Sequence, residues 1–362
     1  MHSAGAIWRC QPVTKYRAVI VGAGRMAGTI DDEVLEYDAC VLPYSHAAGY
    51  AAVPDVELVA FADQNLEKAQ SLQQRYGVAR AYEDYREMIE RERPDIVSIT
   101  TPATHHCEAV LFAAEHGARA IYCEKALCCS LADADRMTAA VESRNIKFNT
   151  GTLRRWAVGM ETLRDMVDRG DLGQLQAVVT YSVGGMLHSA SHFFDLMLYL
   201  AGDPELEWAQ GTVTTAGFDP EPERWDADLS GIGQVRFDNG VMCHLLSTGM
   251  WCEFAAIGSE GAVQIMNNGV DFALRKRQTA VEGRGYVEYV PTPFPAFQRT
   301  SPTVRLIEDL VTALDTDGQT RQGIRRAVKT LEIAFGIIQS DRQSGARVAL
   351  PLQDREYWMH SH

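Results

Sequence analysis

Two basic side chains stand where a proton could be moved. Lys125 follows the apolar run Arg119 to Cys123 and the carboxylate of Glu124. An ammonium at such a strand exit hydrogen-bonds a substrate hydroxyl, polarises a carbonyl or relays a proton, more readily if burial lowers its pKa. The second is His192, in the stretch Gly184-Gly185-Met186-Leu187-His188-Ser189-Ala190-Ser191-His192-Phe193-Phe194-Asp195. A helix starting at 189 to 191 puts His192 in its first turn, where the positive end of the helix disfavours imidazolium, and a neutral ring suits a general base. Asp195 shares that helix face and either orients the ring or packs at a domain junction. His188, His192 and Asp195 would make a metal site only on one continuous helix. The glycines and Leu187 set the helix start after His188, so no metal is expected.

A third group of residues could hold the partner of such chemistry. The run Arg17-Ala18-Val19-Ile20-Val21 leads into Gly22-Ala23-Gly24-Arg25-Met26-Ala27. Gly22 allows the tight turn, Gly24 lets phosphates approach the backbone, and Ala27 is small enough for the next helix to sit on the strand with its free N–H groups facing an anion. A second apolar run, Val56 to Ala62, ends in Asp63. Asp63 follows at about twice the customary ~20-residue spacing. A carboxylate there accepts the ribose hydroxyls and repels a 2′-phosphate, so NAD is favoured over NADP; its alternative role is an N-cap for the helix near Asn65. The extra spacing comes from residues 29 to 54, with Asp31-Asp32-Glu33 and Pro43-Tyr44-Ser45-His46, read either as a pocket wall or as a surface elaboration. Thr101-Pro102 and His105-His106 open a further turn, where one histidine contacts the cofactor or both lie on the surface. Arg154-Arg155-Trp156 offers two guanidiniums and an indole to an oxygen-rich substrate, or an interdomain salt bridge instead.

Positioning these residues takes an ordered scaffold. Strand and helix patterns alternate through residue 150: helices at Leu66 to Tyr76, Asp84 to Arg91, 104 to 116 and from the Ser130/Asp133 capping box to Arg144, with strands at Asp95 to Thr100, Arg119 to Cys123 and Lys147 to Thr150. That alternation predicts an α/β architecture, a doubly wound parallel sheet over 15–150, whose ligand crevice lies at the strands' carboxyl ends with Gly22, Asp63, Thr101 and Lys125. After Thr152 the rhythm changes. Helices at Val158 to Arg169 and Ser191 to Leu200 bracket a strand at Leu175 to Val183, and consecutive strand-like runs from Trp208 to Leu274 predict an open, mostly antiparallel sheet. Helices at Pro302 to Leu314 and Gly323 to Ser340 complete a second, α+β domain over 151–345, with 346–362 returning toward the first.

Composition narrows the class. At 362 residues, two domains are the default, and 46% hydrophobic with 23% charged residues describes a soluble globular chain. No apolar run approaches the ~20 residues of a membrane span, and Met1 to Lys15 lacks the apolar core of a signal peptide, so a cytoplasmic protein is expected. A net charge of −14 without a basic stripe argues against nucleic acid or a membrane surface as partner and leaves a small molecule. The cysteines at 10, 40, 107, 123, 128, 129, 243 and 252 form no CxxC pair and read as reduced, mostly buried thiols.

The order of glycine turn, Asp63, Thr101-Pro102 with His105, Glu124-Lys125, and Gly-Gly followed by His192 and Asp195 resembles the Gfo/Idh/MocA oxidoreductases, named for glucose-fructose oxidoreductase and inositol dehydrogenase. The resemblance spans nearly the whole chain, including Leu350-Pro351-Leu352. It implies a Rossmann domain plus an open-faced α/β domain, tight NAD(P) binding, hydride transfer at a carbinol or ketone carbon of a sugar, cyclitol or polyol, and a homodimer or homotetramer built through the open sheet. It makes Lys125 and His192 the catalytic pair; beside them the residues themselves nominate Gly22, Gly24, Arg25, Met26, Ala27, Asp63, Thr101, Pro102, His105 and Glu124 as cofactor contacts, and Arg154, Arg155, Trp156 and Asp195 as substrate contacts. Two departures stand out. Ala126 replaces the proline of the usual Glu-Lys-Pro, and His188 stands where many members have an aspartate, which leaves the base assignment open between His188 and His192. Related proteins imply one alternative, an NAD-dependent glycosidase working by oxidation and elimination; a second is a non-catalytic nucleotide-binding regulator.

Overall fold

Short β-branched runs buried on both sides build the first sheet. The computed structural model describes residues 16–250 and 252–361, so Cys10 and the N-terminal segment lie outside the described residues. Strands β1 (Tyr16–Val21), β2 (Val56–Ala62), β3 (Arg80–Tyr82), β4 (Ile96–Ile99), β5 (Ala120–Cys123) and β6 (Lys147–Thr150) form a six-stranded parallel sheet in the order β3-β2-β1-β4-β5-β6. The chain reverses its winding at β1, which pairs with β2 on one side and β4 on the other. That reversal opens the crevice at the carboxyl ends. Every residue of β4, β5 and β6 is buried, as expected of a parallel sheet covered on both faces.

Helices α1 (Ile30–Glu33), α2 (His46–Ala52), α3 (Leu66–Tyr76), α4 (Tyr85–Glu92), α5 (His106–Glu115) and α6 (Leu131–Ser143) accompany these strands. The helix after the glycine turn is split: a wide helical turn, Arg25–Thr29, leads into α1, and the path resumes only at α2. The Asp31 carboxylate joins the two halves by accepting from Tyr44 N (2.8 Å) and Ser45 N (2.9 Å). Ser45 then caps α2 by accepting from Ala48 N.

The second sheet has nine strands in the order β15-β14-β13-β12-β7-β11-β10-β8-β16. Its members are β7 (Leu175–Ser182), β8 (Leu206–Val213), β10 (Gly231–Phe237), β11 (Met242–Ser247), β12 (Glu253–Gly258), β13 (Gly261–Met266), β14 (Asp271–Val281), β15 (Tyr286–Thr292) and β16 (Val348–Ala349). The two-residue β9 (Arg224–Trp225) and β17 (Trp358–Met359) pair separately. Pairing is antiparallel except between β7 and β11. Besides the two-residue β9, β16 and β17, the strands β3 and β15 carry no pattern that the sequence reading detected; β3 has three residues, and β15 is mostly exposed and lacks alternation.

One face of this sheet packs on α8 (Ser191–Ala201) and α10 (Gly323–Arg342), while α7 (Val158–Asp168) packs on α8. The other face, with Ala177, Val179, Tyr181, Leu246 and Ile257 at matching register positions, is open. Helix α9 (Pro302–Thr316) follows the second sheet in sequence but packs against α2, β5 and β6 of the first. The C-terminal stretch also runs back to the first sheet's helices: Met359 N donates to Cys129 O, and Arg355 pairs with Asp135 of α6. Cys40 is half-buried, the other six described cysteines are buried, and all seven are free thiols.

Candidate active site

The crevice at the first sheet's carboxyl edge collects the expected nucleotide contacts. Gly22, Asp63, Thr101, Pro102 and His105 line a cleft of about 270 Å³ with Tyr85 and Arg86. Gly22 has φ +93°, and a Cβ there would stand 3.0 Å from Thr100 C and Thr101 N, so both conformation and space demand glycine. At Gly24 a Cβ would meet nothing within 4 Å, which leaves the turn's outer face clear for an anion. The Asp63 carboxylate accepts from Ala23 N (2.8 Å) and from Asn65 N (2.8 Å), tying the glycine turn to the end of β2. Asn65, not Asp63, caps α3. The Thr101 and Tyr85 hydroxyls are buried without a hydrogen-bond partner among the described residues. A group rich in hydroxyls and phosphate oxygens fits this edge. Arg25 points outward to Glu33 in a bidentate ion pair, Met26 is half-buried, and Ala27 is fully buried under the helix.

At the next strand exit, Glu124 is 5% exposed and does not reach the cleft. Its placement as a cofactor contact is corrected: Oε1 lies 3.0 Å from His46 Nε2, and Oε2 accepts from Lys125 N at 3.2 Å. Burial pushes this carboxyl up, but His46 and the Lys125 charge hold it below the ordinary carboxylate value. His46 itself stacks on Tyr122 (3.7 Å) and meets Ser98 Oγ at 3.0 Å, which in turn lies 2.7 Å from Tyr50 OH. Gly151, at the end of β6, is required here because a Cβ would overlap the Glu124 carboxylate. His106 braces the same corner from the other side, with Nε2 on Thr101 O (2.7 Å) and Nδ1 on Ala126 O (2.9 Å). The Lys125–Ala126 peptide is cis, with Ala126 in place of proline.

Lys125 leaves this corner toward the second domain. Its Nζ donates to His188 O (3.2 Å) and lies 3.3 Å from His188 Nδ1, which accepts when the ring carries its proton on Nε2. Burial lowers the Lys125 pKa below 10.5; Glu124 and Asp228 oppose that shift, and Arg154 and Arg25 add to it. The turn that carries His188 is held by Asp228, whose carboxylate accepts from Leu187 N (2.9 Å) and His188 N (2.7 Å). Since α8 begins at Ser191, His188 sits off the helix and is exposed, while His192 is in the first turn. His192 is held well below 6.5 by burial, then by Arg154, Lys125 and His188. Its Nδ1 is buried and has no partner among the described residues.

The substrate contacts expected from Arg154-Arg155-Trp156 divide. Arg154 lines a narrow cavity with His192, Tyr44 and Cys40. Arg155 and Asp195 are corrected: both are fully buried, paired to each other at 2.8 Å, with Asp203 as a second partner of Arg155 and Gln322 Nε2 donating to Asp195 at 2.9 Å. Trp156 is fully buried as well. None of these three lines the cavity. Tyr44 and Ala39 to Val41 make the inserted segment a pocket wall. Sequence reasoning missed His46, Asp228, Cys252 and Asn268, the last two of which hold the Arg154 guanidinium. The one local signal was Ser45 capping a helix whose apolar face carries His46, Ala47 and Tyr50. A wider cleft of about 940 Å³ between α6 and α10 is lined by none of the residues predicted for the site, and its cations are paired, as in Arg325–Glu142 and Lys329–Glu205.

Residues 16–152 match the model of an oxidoreductase family with an NAD-binding Rossmann fold, the Gfo/Idh/MocA family. The match covers the first sheet and its helices and stops before the second sheet. Among similar proteins, a D-glucoside 3-dehydrogenase of Escherichia coli K12 is 25% identical over 252 residues, covering 62% of this chain and 67% of that protein. A myo-inositol 2-dehydrogenase of Thermotoga maritima is 27% identical over 212 residues, covering 54% of this chain and 58% of its own length. A levoglucosan dehydrogenase solved with NADH superposes with a TM-score of 0.73 at 19% identity, covering 93% of this chain and 99% of that one. The match gives residues 16–152 an NAD-binding Rossmann fold of oxidoreductase type. No helix among the described residues is long and apolar enough to cross a membrane.

Proposed function

We propose that the protein is a dehydrogenase that moves hydride between a nicotinamide cofactor and a carbinol carbon of a sugar, cyclitol or related polyol. The observation that carries this reading is the Lys125 amine, aimed from the cofactor edge of one sheet at the turn before α8, with the unpartnered Nδ1 of His192 close behind. A bound nicotinamide supplies the hydride acceptor. Gly22, Gly24 and Ala27 seat its pyrophosphate, and Asp63, Thr101, Pro102 and His105 take the adenosine half. Asp63 brings negative charge to the ribose site, which favours NAD over NADP.

Lys125 takes the hydroxyl proton as the carbinol is oxidised, in its neutral amine form. His192, neutral in its protein-walled site, accepts a hydrogen bond from a substrate hydroxyl at Nδ1 or Nε2 according to tautomer. His188 receives the Lys125 amine between turnovers and orients it. Asp228 sets that contact by fixing the His188 backbone. The open face of the second sheet, with Leu246 39% and Ile257 37% exposed, supports a homodimer or homotetramer assembled through it.

The test is reduction of NAD by purified protein across a panel of sugars, cyclitols and glycosides, read at the reduced-nicotinamide absorbance. Oxidation of at least one polyol, lost in Lys125→Ala, is expected. Silence across the panel in protein that binds NADH contradicts the reading.

A further inference from the structure

The cavity beside His192 has a charge problem that the protein itself leaves open. Its lining includes Arg154 and Arg299 and no aspartate or glutamate. Arg154 uses Nε (3.1 Å) and Nη2 (2.5 Å) on the neutral Asn268 Oδ1 and Nη2 on Cys252 Sγ (3.4 Å), and its guanidinium faces the rings of Phe193 and Phe254. Arg299 makes no hydrogen bond or ion pair with any described residue. The neighbouring Arg155 is treated differently, with two carboxylates to itself. Both unneutralised guanidiniums are close enough to Cys40 to act on its thiol. Arg154 also adds to the positive field at Lys125 and His192.

Two half-buried guanidiniums around one small space repel each other unless an anion joins them, and planar forked donors match a carboxylate best. The phosphate-binding turn, Gly22 to Ala27, does not line this cavity, so the cofactor's pyrophosphate is not that anion. The space is about 60 Å³. Counted as room for the centres of waters, at roughly 10–15 Å³ each, that admits several waters or one acid group. We infer that the carbohydrate taken by this site is an acid, whose carboxylate sits between Arg154 and Arg299 while its ring extends toward His192 and Lys125. This inference rests on the dehydrogenase reading only for where the ring lies.

The test is calorimetric titration of NADH-loaded protein at low salt, near pH 7.5, with glucuronate, galacturonate and gluconate, each against glucose or galactose, and with glucose 6-phosphate. At least one acid is expected to bind about tenfold more tightly than its neutral counterpart, a difference of about 1.4 kcal/mol. Arg299→Gln should remove most of that difference, and Arg299→Lys should keep part of it. Equal binding of acids and neutral sugars, no binding of any acid, or preference for the phosphate ester overturns the inference. A parallel assay with NAD separates the two readings. Acids that bind while no member of the panel is oxidised leave this inference standing and sink the dehydrogenase; neutral sugars oxidised in preference to acids do the reverse.

Discussion

At the residue level, the site turns on one amine whose charge is disfavoured where it sits. Desolvation and nearby guanidiniums lower the Lys125 pKa, against the pull of Glu124 and Asp228. The base form for alcohol oxidation is the neutral amine. Oxidation should therefore rise with pH through the lowered Lys125 pKa and level off before pH 10.5, the ordinary lysine value. Because His192 ionises only well below 6.5, no loss of activity centred near 6.5 is expected from it. A kcat/KM profile with a limb centred near 6.5 that disappears in His192→Asn contradicts this account. Lys125→Ala should lower kcat by about 10²–10⁴-fold, the usual worth of positioned proton transfer, while NADH affinity measured by nicotinamide fluorescence stays close to wild type. Lys125 and Gly22 were legible in the sequence because a strand exit announces itself by an apolar run that stops. Arg155 was not. Beside Arg154 it reads as the second half of a clasp, and only burial against Asp195 and Asp203 tells the two arginines apart.

At the level of elements, three pieces of chain far apart in sequence hold that amine. The strand β5 carries it, the inserted segment brings His46 of α2 to its neighbour Glu124, and the turn before α8 receives it. Most helix bounds followed from caps and periodicity, as at α3, where the predicted Leu66 to Tyr76 is the helix observed. The insertion was legible as extra length but not as a wall, since nothing local states that Asp31 closes it or that Ser301 and Thr303 of the α9 start bond Pro43 O and Tyr44 O. The buried Arg155–Asp195–Asp203 cluster joins α8 to the segment after β6. Arg155→Leu leaves Asp195 buried without its main partner and should destabilise by about 3–5 kcal/mol, read as a lower urea midpoint. A change under about 1 kcal/mol, the value of a surface pair, contradicts that reading of the cluster.

Across the whole molecule, two sheets follow different rules. The parallel sheet is covered on both faces and reads as continuous apolar runs, which is why a doubly wound parallel sheet could be anticipated from alternation of strands and helices. The second sheet is covered on one face only, and its β7–β11 parallel pair could not be read from a series of consecutive strands. Its open face should be covered by a second copy. Leu246→Glu or Ile257→Glu is expected to shift the light-scattering mass toward the monomer, and a wild-type monomer at micromolar concentration contradicts the assembly proposed. The account as a whole depends on a nicotinamide ring lying between the Lys125 amine and the His192 imidazole. A crystal structure with NADH tests that most directly: C4 of the ring should face the gap between Lys125 Nζ and His192, leaving room for a carbon at about 3–3.5 Å. A ring seated elsewhere, or both side chains turned away from it, contradicts the claim.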